Sequence, residues 1–491
     1  MDSTCLTETP VVDRPESAIE SLALVVDLDG TLTPTDTLFE SLRALIVQQP
    51  LALLKLPMWL LRGRSVLKNE VAARVALDVE HLPLRMDLVE YLTQQKAGGR
   101  RIVLATAADR RIAAAVADRL GLFDLVLASD ATVNLKGLLK LDAIRLHVGT
   151  EFVYAGDSTA DLPVWRGAKG AILVNAAPAV VCAVARMVPV EREFSGAPFP
   201  WGQWLKAIRL HQWLKNSLIF VPLLTSFSFT QTEKLGQTLL AFLAFSLLAS
   251  ATYLANDIWD LESDRSHPRK SKRPFAAGTI PLQHALPTGL MLLVAGLIIG
   301  AYVSKDFVFV LLGYLVATLA YSFSLKRYVL ADVVMLASLY TVRVIAGAIA
   351  IQVALSPWLL AFCVFTFFSL ALVKRCSELV SFQRVGRLSA SGRDYQVSDL
   401  VVLWPMGVSA GVCSVVVFGL FVATVTATGR YTHAPLLWFV GIGQLYWLGR
   451  LWIKTARGEM HDDPIVFTLI DFGTRTVLLL MVAATIAAYV F

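Results

Sequence analysis

Residues Asn256-Asp257-Ile258-Trp259-Asp260-Leu261-Glu262-Ser263-Asp264-Arg265 stand at the end of a long apolar run (236–257), and the basic stretch His267-Pro268-Arg269-Lys270-Ser271-Lys272-Arg273-Pro274 follows them. Carboxylates at the end of a membrane helix are costly unless something charged meets them. If the helix continues through the stretch, Asn256, Asp260 and Asp264 fall at i, i+4 and i+8, on one face. Paired with magnesium, such a face would grip a diphosphate, and the basic run would meet the remaining oxygens. The bland alternative is a solvated, salt-bridged loop.

The rest of residues 205–491 is a series of apolar stretches, at 216–232, 236–257, 283–303, 306–325, 330–350, 356–374, 400–426, 435–453 and 473–491. Each approaches or exceeds the roughly 20 residues that span a bilayer. The chain of 491 residues is 56% hydrophobic and 17% charged, with mean hydropathy +0.61. Soluble chains hold about 45–50% apolar and about 25% charged residues, so an ordinary soluble enzyme and a disordered chain are both excluded. The net charge of +6 reads as basic loops flanking a membrane, with no nucleic acid as partner. Sixteen Lys and Arg lie in and around the loops after spans two, four, six and eight, against three (Lys234, Lys305 and Arg430) in the others. Positive loops stay inside. The expectation is a multi-pass protein of the inner (plasma) membrane, its catalytic loops and N-terminal domain cytoplasmic. The cysteines Cys5, Cys182, Cys363, Cys376 and Cys413 have no CxxC spacing, so neither a disulfide framework nor a zinc site is expected. The first twenty residues lack the apolar region of a signal peptide.

Residues 1–191 are built differently. Short apolar runs, Ala23–Asp27, Arg101–Thr106, Phe152–Gly156 and Gly170–Val174, alternate with charged helical stretches. That is the pattern of a doubly wound α/β domain. Val25-Val26-Asp27-Leu28-Asp29-Gly30-Thr31-Leu32-Thr33 places two carboxylates one residue apart where the first run ends. One can be nucleophile and metal ligand, the other general acid. Tyr154-Ala155-Gly156-Asp157-Ser158-Thr159-Ala160-Asp161 ends another run with two more acids. Asp27, Asp29, Asp157 and Asp161, converging at strand ends, suit a hard cation such as magnesium. Thr106 can hydrogen-bond a phosphoryl oxygen, and Lys140 can neutralise its charge.

These motifs, in this order, resemble a haloacid dehalogenase-type (HAD) phosphohydrolase. The resemblance implies a Rossmannoid α/β core with a helical cap inserted at about 36–95. It makes Asp27 the nucleophile that forms an aspartyl phosphate and Asp29 the acid/base. Thr106 and Lys140 would hold phosphate, and Asp157, supported by Asp161, would complete the magnesium site. The alternative is a degenerate regulatory domain that keeps the fold. Within the expected cap, residues 51–64 (Leu51-Ala52-Leu53-Leu54-Lys55-Leu56-Pro57-Met58-Trp59-Leu60-Leu61-Arg62-Gly63-Arg64) are unusually apolar and end in arginines. They either lie in the membrane interface or pack on the cap's own core. Residues 192–204 read as a linker.

The membrane half, 205–491, resembles the UbiA superfamily of intramembrane prenyltransferases. The resemblance rests on the acidic stretch, on Arg209-Leu210-His211-Gln212-Trp213-Leu214-Lys215-Asn216, and on Tyr321-Ser322-Phe323-Ser324-Leu325-Lys326. It implies an all-α domain of nine transmembrane helices, with Asn256, Asp257, Asp260 and Asp264 binding magnesium-diphosphate and Asp257 and Asp260 at the catalytic centre. Lys215, Arg265, Lys270, Lys272, Arg273, Tyr321, Lys326 and Lys374 would contact substrate. The loop after span six departs from the family pattern: Lys374-Arg375-Cys376-Ser377-Glu378-Leu379 and Gly392-Arg393-Asp394-Tyr395 contain no DxxxD. Together with Asp264-Arg265-Ser266-His267-Pro268, Arg273-Pro274-Phe275-Ala276-Ala277-Gly278 and Asp462-Asp463-Pro464-Ile465-Val466-Phe467, it is similar to the polyprenyl-phosphate phosphoribosyltransferase branch. The donor is then expected to be phosphoribosyl pyrophosphate (PRPP) and the acceptor a polyprenyl phosphate in the lipid bilayer. Arg343, inside span five, would meet phosphate or serve as an internal anchor. The HAD-like half would remove the 5-phosphate of the product. A prenyl diphosphate donor with an aromatic acceptor is the competing reading, and a non-catalytic lipid-binding or transport protein is a third.

Overall fold

The computed structural model describes residues 22–195, 201–386, 393–428, 431–460 and 464–490. They form two compact units. One runs to Arg209 and includes Tyr253–Gly289; the other comprises Leu210–Thr252 and the chain from Leu290 onward. The acidic stretch therefore belongs to the same unit as the N-terminal sheet, where the sequence suggested a division at 192–204.

The sheet has six strands, β1 (Ala23–Val26), β2 (Ile102–Asp109), β3 (Leu125–Ser129), β4 (Phe152–Gly156), β5 (Gly170–Val174) and β6 (Val190–Phe194). Their order is β3-β2-β1-β4-β5-β6, and every neighbouring pair is parallel. The central strands are covered on both faces, which is why they read as unbroken apolar runs. Leu24, Val26, Ile102 and Leu104 face one layer, and Val25, Val103, Phe152 and Tyr154 the other. The edge strands were not expected: β6 (VEREF) carries charge at exposed positions, whereas β3 (LVLAS) has the same short apolar run as the central strands. Strand order reverses between β1 and β4, and ligand crevices in such sheets open there, past the strand C-termini.

A small cap follows β1: helix Thr37–Gln48, the 3-10 helix Pro50–Lys55, the short helix Leu56–Leu61, and helix Arg64–Ala72. Leu45, Trp59, Leu67 and Val71 are its core. The cap is shorter than the expected 36–95, because Leu88, Tyr91 and Leu92 of helix Met86–Ala97 are buried in the core of the sheet.

Eight helices among the described residues are long and apolar enough to cross a membrane: Thr232–Trp259, Leu282–Val303, Lys305–Phe323, Ala331–Ala350, Pro357–Arg384, Val397–Thr426, Ala434–Ala456 and Phe472–Val490. The stretch expected as a ninth, 216–232, is instead a 3-10 run (Leu210–Phe220) and a short helix (Val221–Thr225). It runs antiparallel to the helix that follows. Trp213 Nε1 donates to Ser250 Oγ (2.9 Å), Asn216 Nδ2 to Ser246 Oγ (2.9 Å), and Phe220 meets Phe242 at 5.7 Å between ring centroids. Its backbone also lies hard against helix Ala331–Ala350, where a Cβ on Gly347 would sit 2.0 Å from the Ile219 carbonyl oxygen. Small residues permit such close helix approach.

Candidate functional site

The first pocket is assembled where β1, β2 and β4 end. Asp27, Asp157 and Asp161 each offer a carboxylate oxygen, and these oxygens all lie within 4.8 Å of one another. Among the described residues this is the one such group of three or more metal-ligating side chains. Its all-oxygen donor set fits a hard divalent cation. Lys140, on helix Leu138–His147, donates to Asp27 Oδ2 (2.7 Å), Tyr154 Oη (2.9 Å) and Asp161 Oδ1 (3.3 Å). Burial alone would lower its pKa, but Asp27 and Asp161 outweigh burial and raise it. Burial, reinforced by Asp161 and Asp27, pushes Asp157 up to about 7. A cation bound beside Asp157 would oppose that rise.

Asp29 stands outside that group, so the expectation that its side chain is a ligand is corrected. Its Oδ1 accepts from the Thr37 amide (2.9 Å) at the start of the cap. Burial and then Asp36 lift it to about 7. That suits a general acid, because the group keeps its proton near neutrality. Thr106 is fully buried on β2, where its hydroxyl accepts from the Ala108 amide (3.0 Å). Gly30 (φ +78°) makes the turn: a Cβ there would lie 2.3 Å from Asp157 Oδ2. Two cations absent from the sequence reading reach the pocket. Lys68 Nζ donates to the Ala107 carbonyl (2.6 Å), and Arg85 Nη2 donates to the Gly30 carbonyl (3.3 Å). Neither has a motif; folding back from the cap side alone brings them there.

The acidic stretch breaks at Asp260, which follows helix Thr232–Trp259 and caps the short helix Leu261–Ser266. The hydrogen bonds from Asp260 N to Asn256 O (2.9 Å) and from Asp264 N to Asp260 O (2.8 Å) preserve the i, i+4 spacing. The side chains nevertheless separate into two sets. Asn256 donates to Asp260 Oδ2 (3.2 Å). Asp257 and Asp264 share Arg273, whose Nη1 lies 3.2 Å from Asp257 Oδ1 and 2.5 Å from Asp264 Oδ2; Arg209 also pairs with Asp257. The expected single four-residue centre is thus corrected: among the described residues these acids do not converge on one point, and guanidinium charge holds Asp257 and Asp264. Asp264 Oδ1 stays buried without a hydrogen-bond donor, though Lys270 Nζ lies 3.8 Å away. Burial raises the Asp264 pKa, against the pull of Arg273. A buried oxygen of this kind accepts a cation at little further cost. Lys272 projects outward, exposed.

Arg265, expected to contact substrate, is held by the cap. Its Nη2 and Nη1 donate to Glu40 Oε1 (2.7 Å) and Oε2 (3.1 Å), and its Nε donates to the Ala276 carbonyl (3.3 Å). Beside it Arg43 pairs with Glu262 (2.5 Å) and donates to the carbonyls of Ile258 (3.0 Å) and Trp259 (3.3 Å). The cap helix is therefore locked to the acidic stretch.

In the second unit, Arg343 is buried among internal acceptors. It is 4% exposed and donates to Asn216 Oδ1 (2.8 Å), Tyr314 Oη (3.1 Å) and the Leu339 carbonyl. Tyr321 donates to Asp332 Oδ1 (2.9 Å), and Arg375 pairs with Asp332 (2.5 Å) and with Glu378, which Arg393 also holds (2.8 Å). Asp332 was readable, as an acid in the first turn of an apolar helix. Lys215, Lys326 and Lys374 are half-buried in this unit. Asp462 and Asp463 lie outside the described residues.

A parallel sheet with this aspartate pocket defines a HAD-like hydrolase module, here on one chain with a polytopic helical domain. The haloacid dehalogenase-like hydrolase profile matches residues 24–166, and the UbiA prenyltransferase family profile matches residues 218–472. The chain belongs to the UbiA prenyltransferase family and is an integral membrane protein with an N-terminal HAD-like domain. An uncharacterized protein, y4nM, of Sinorhizobium fredii (strain NBRC 101917 / NGR234) is 37% identical over 457 residues, covering 92% of this chain and 88% of its own. Nodulation protein NoeC of Azorhizobium caulinodans is 32% identical, covering 58% of this chain and 93% of its own. The decaprenyl-phosphate phosphoribosyltransferase of Mycobacterium tuberculosis is 35% identical over 211 residues, covering 42% of this chain and 70% of its own. A solved UbiA homolog from Archaeoglobus fulgidus, bound to GPP and Mg2+, covers 58% of this chain and 99% of its own at 17% identity, with a TM-score of 0.44.

Proposed function

We propose that the chain is a bifunctional enzyme of the inner membrane with both active sites on the cytoplasmic side. The membrane half transfers phosphoribose from PRPP to a polyprenyl phosphate, and the HAD-like half removes the 5-phosphate from the lipid-linked product. One conjunction carries the reading. A membrane half similar to decaprenyl-phosphate phosphoribosyltransferases shares its chain with a pocket suited to phosphoester hydrolysis. Phosphoribosyl transfer leaves a phosphate for that pocket; prenylation of an aromatic acceptor does not.

In the transfer, an acceptor phosphate oxygen attacks C1 of the ribose as the bond from C1 to the diphosphate breaks. Arg209, Lys270 and Arg273, which surround Asp257 and Asp264, supply positive charge for the departing diphosphate. In the hydrolysis, Asp27 attacks phosphorus and the ester P–O bond breaks. Lys140 and Thr106 hold the phosphoryl oxygens, and Asp29 gives its proton to the leaving 5-oxygen. Asp29 then takes a proton from the water that releases inorganic phosphate. Magnesium, held by Asp27, Asp157 and Asp161 in this pocket, would supply charge to bound phosphate oxygens.

The test is full-length protein in nanodiscs with ribose-labelled PRPP and polyprenyl phosphate, magnesium present or chelated. Wild type should yield labelled lipid without phosphate, and Asp27→Asn should yield the same lipid still phosphorylated. Transfer from a prenyl diphosphate to an aromatic acid, with none from PRPP, would refute the donor; identical phosphorylated products would refute the phosphatase role.

A further inference from the structure

The cap carries an outward surface that neither set of acids uses. Leu51, Leu54, Met58, Leu60 and Leu61 are exposed, Leu54 by 82% and Leu61 by 90%. They occupy the successive short helices Pro50–Lys55 (3-10) and Leu56–Leu61 (α). Trp59 of the same segment points inward, 2% exposed, against Leu45, Leu67 and Val71, with the Arg74 guanidinium 4.6 Å over its ring. The segment is thus pinned on one face and leucine-covered on the other. Between Glu40 and Glu70 the chain has Arg43, Lys55, Arg62, Arg64 and Lys68 and no acidic residue. A contiguous exposed apolar surface marks an interaction site, and leucines bordered by cations are complementary to an anionic lipid surface.

Position points to the same occupant. Arg43, seven residues before Pro50, hydrogen-bonds the carbonyls of Ile258 and Trp259, the last turn of helix Thr232–Trp259. That helix is long and apolar enough to cross the membrane. The end of a spanning helix is where hydrocarbon gives way to headgroups, and here its last carbonyls are capped by a guanidinium. The leucine surface begins within two turns of that point along the cap chain.

We propose that the Leu51–Arg64 face of the cap lies in the headgroup–acyl boundary of an anionic bilayer, and that the adjoining phosphatase pocket therefore acts on phosphate esters carried by lipid in preference to soluble ones. The second clause rests on the phosphatase reading above; the first does not.

The experiment uses full-length protein with Cys5, Cys182 and Cys413 replaced by Ser, in single-copy nanodiscs of phosphatidylcholine with or without phosphatidylglycerol. An environment-sensitive fluorophore is attached through Leu61→Cys or, as control, through Glu151→Cys at an exposed site. Acyl-chain quenchers should dim the probe at position 61 at least threefold more than the one at 151, and more so with phosphatidylglycerol. Equal quenching at the two positions overturns the surface, including the outcome in which a second copy is the true occupant. A second arm uses the triple variant Leu51→Ser, Leu54→Ser, Leu61→Ser. Its KM for a lipid-linked ribose phosphate should rise about tenfold, with p-nitrophenyl phosphate turnover unchanged. A KM that moves no more for the lipid than for the soluble ester overturns the substrate preference. Wild type inert on both esters would refute the phosphatase reading, and the quenching would still decide the surface.

Discussion

Replacing Glu40 by Ala should release the acidic stretch from the cap. Glu40 is 1% exposed and Arg265 5% at their side chains, and the two form a paired hydrogen bond. Removing one partner of a buried ion pair costs about 3–5 kcal/mol, because the other charge is left uncompensated. Glu40 also accepts from the Thr35 hydroxyl (2.9 Å), and Arg43–Glu262 survives the change. Glu262 is 37% exposed, so that remaining pair contributes only about 1 kcal/mol. Taking about 3 kcal/mol as the net local loss, and about 1.4 kcal/mol per decade, amide exchange across 258–280 should accelerate by roughly a hundredfold. Hydrogen exchange read by mass spectrometry on full-length protein in nanodiscs measures this peptide by peptide. The double variant Glu40→Leu, Arg265→Met should recover most of the protection, since it leaves no buried charge unpaired. Unchanged exchange in Glu40→Ala would mean that the cap and the acidic stretch are not joined as described.

Asp29→Asn should lower phosphatase turnover by roughly 10²–10⁴, the usual worth of a general acid, with substrate binding retained. Because burial and Asp36 raise the Asp29 carboxyl to about 7, the acid form is full below neutrality and is lost as pH rises through that value, so the wild-type rate should fall above pH 7 and a pH–rate profile in the presence of magnesium should show that limb. Gly30→Ala should abolish phosphatase activity, since its Cβ would meet Asp157 Oδ2 at 2.3 Å on a left-handed backbone; turnover with p-nitrophenyl phosphate checks it. Arg343→Met should destabilise the helical unit by about 3 kcal/mol or more by leaving buried acceptors unpaired; its thermal transition should fall while the KM for PRPP per folded molecule stays put.

The sheet and its aspartates were legible because parallel strands are buried on both faces and carry their chemistry just past their ends. Asp27, Asp157 and Asp161 each follow such a run within a few residues, so local pattern and tertiary placement coincide. β6 lacked that signal because its exposed positions carry charge, whereas β3 carries an apolar run, Leu125–Ala128, with no acidic motif past its end to single it out. The span count was nearly legible; the 3-10 geometry of Leu210–Phe220 was not, because it is set by close packing against Gly347 and not by the run's own composition. Arg265 and Arg343 have partners that the local sequence does not show. A buried cation in an apolar or acidic neighbourhood invites a phosphate in the sequence, whereas in the fold Glu40 and Asn216 supply its partners from 225 and 127 residues away.

Hydrophobic periodicity and motif spacing, which are local properties of the chain, determined by themselves a parallel α/β domain, a polytopic membrane domain and the acids each carries. Tertiary structure alone decided which charges neutralise which. It set Arg273 between Asp257 and Asp264, kept Asp29 apart from the carboxylate cluster and fastened the cap to the end of a membrane helix. Electrostatic partners are chosen by distance through space in a poorly screening interior, and the order of residues along the chain does not encode that distance.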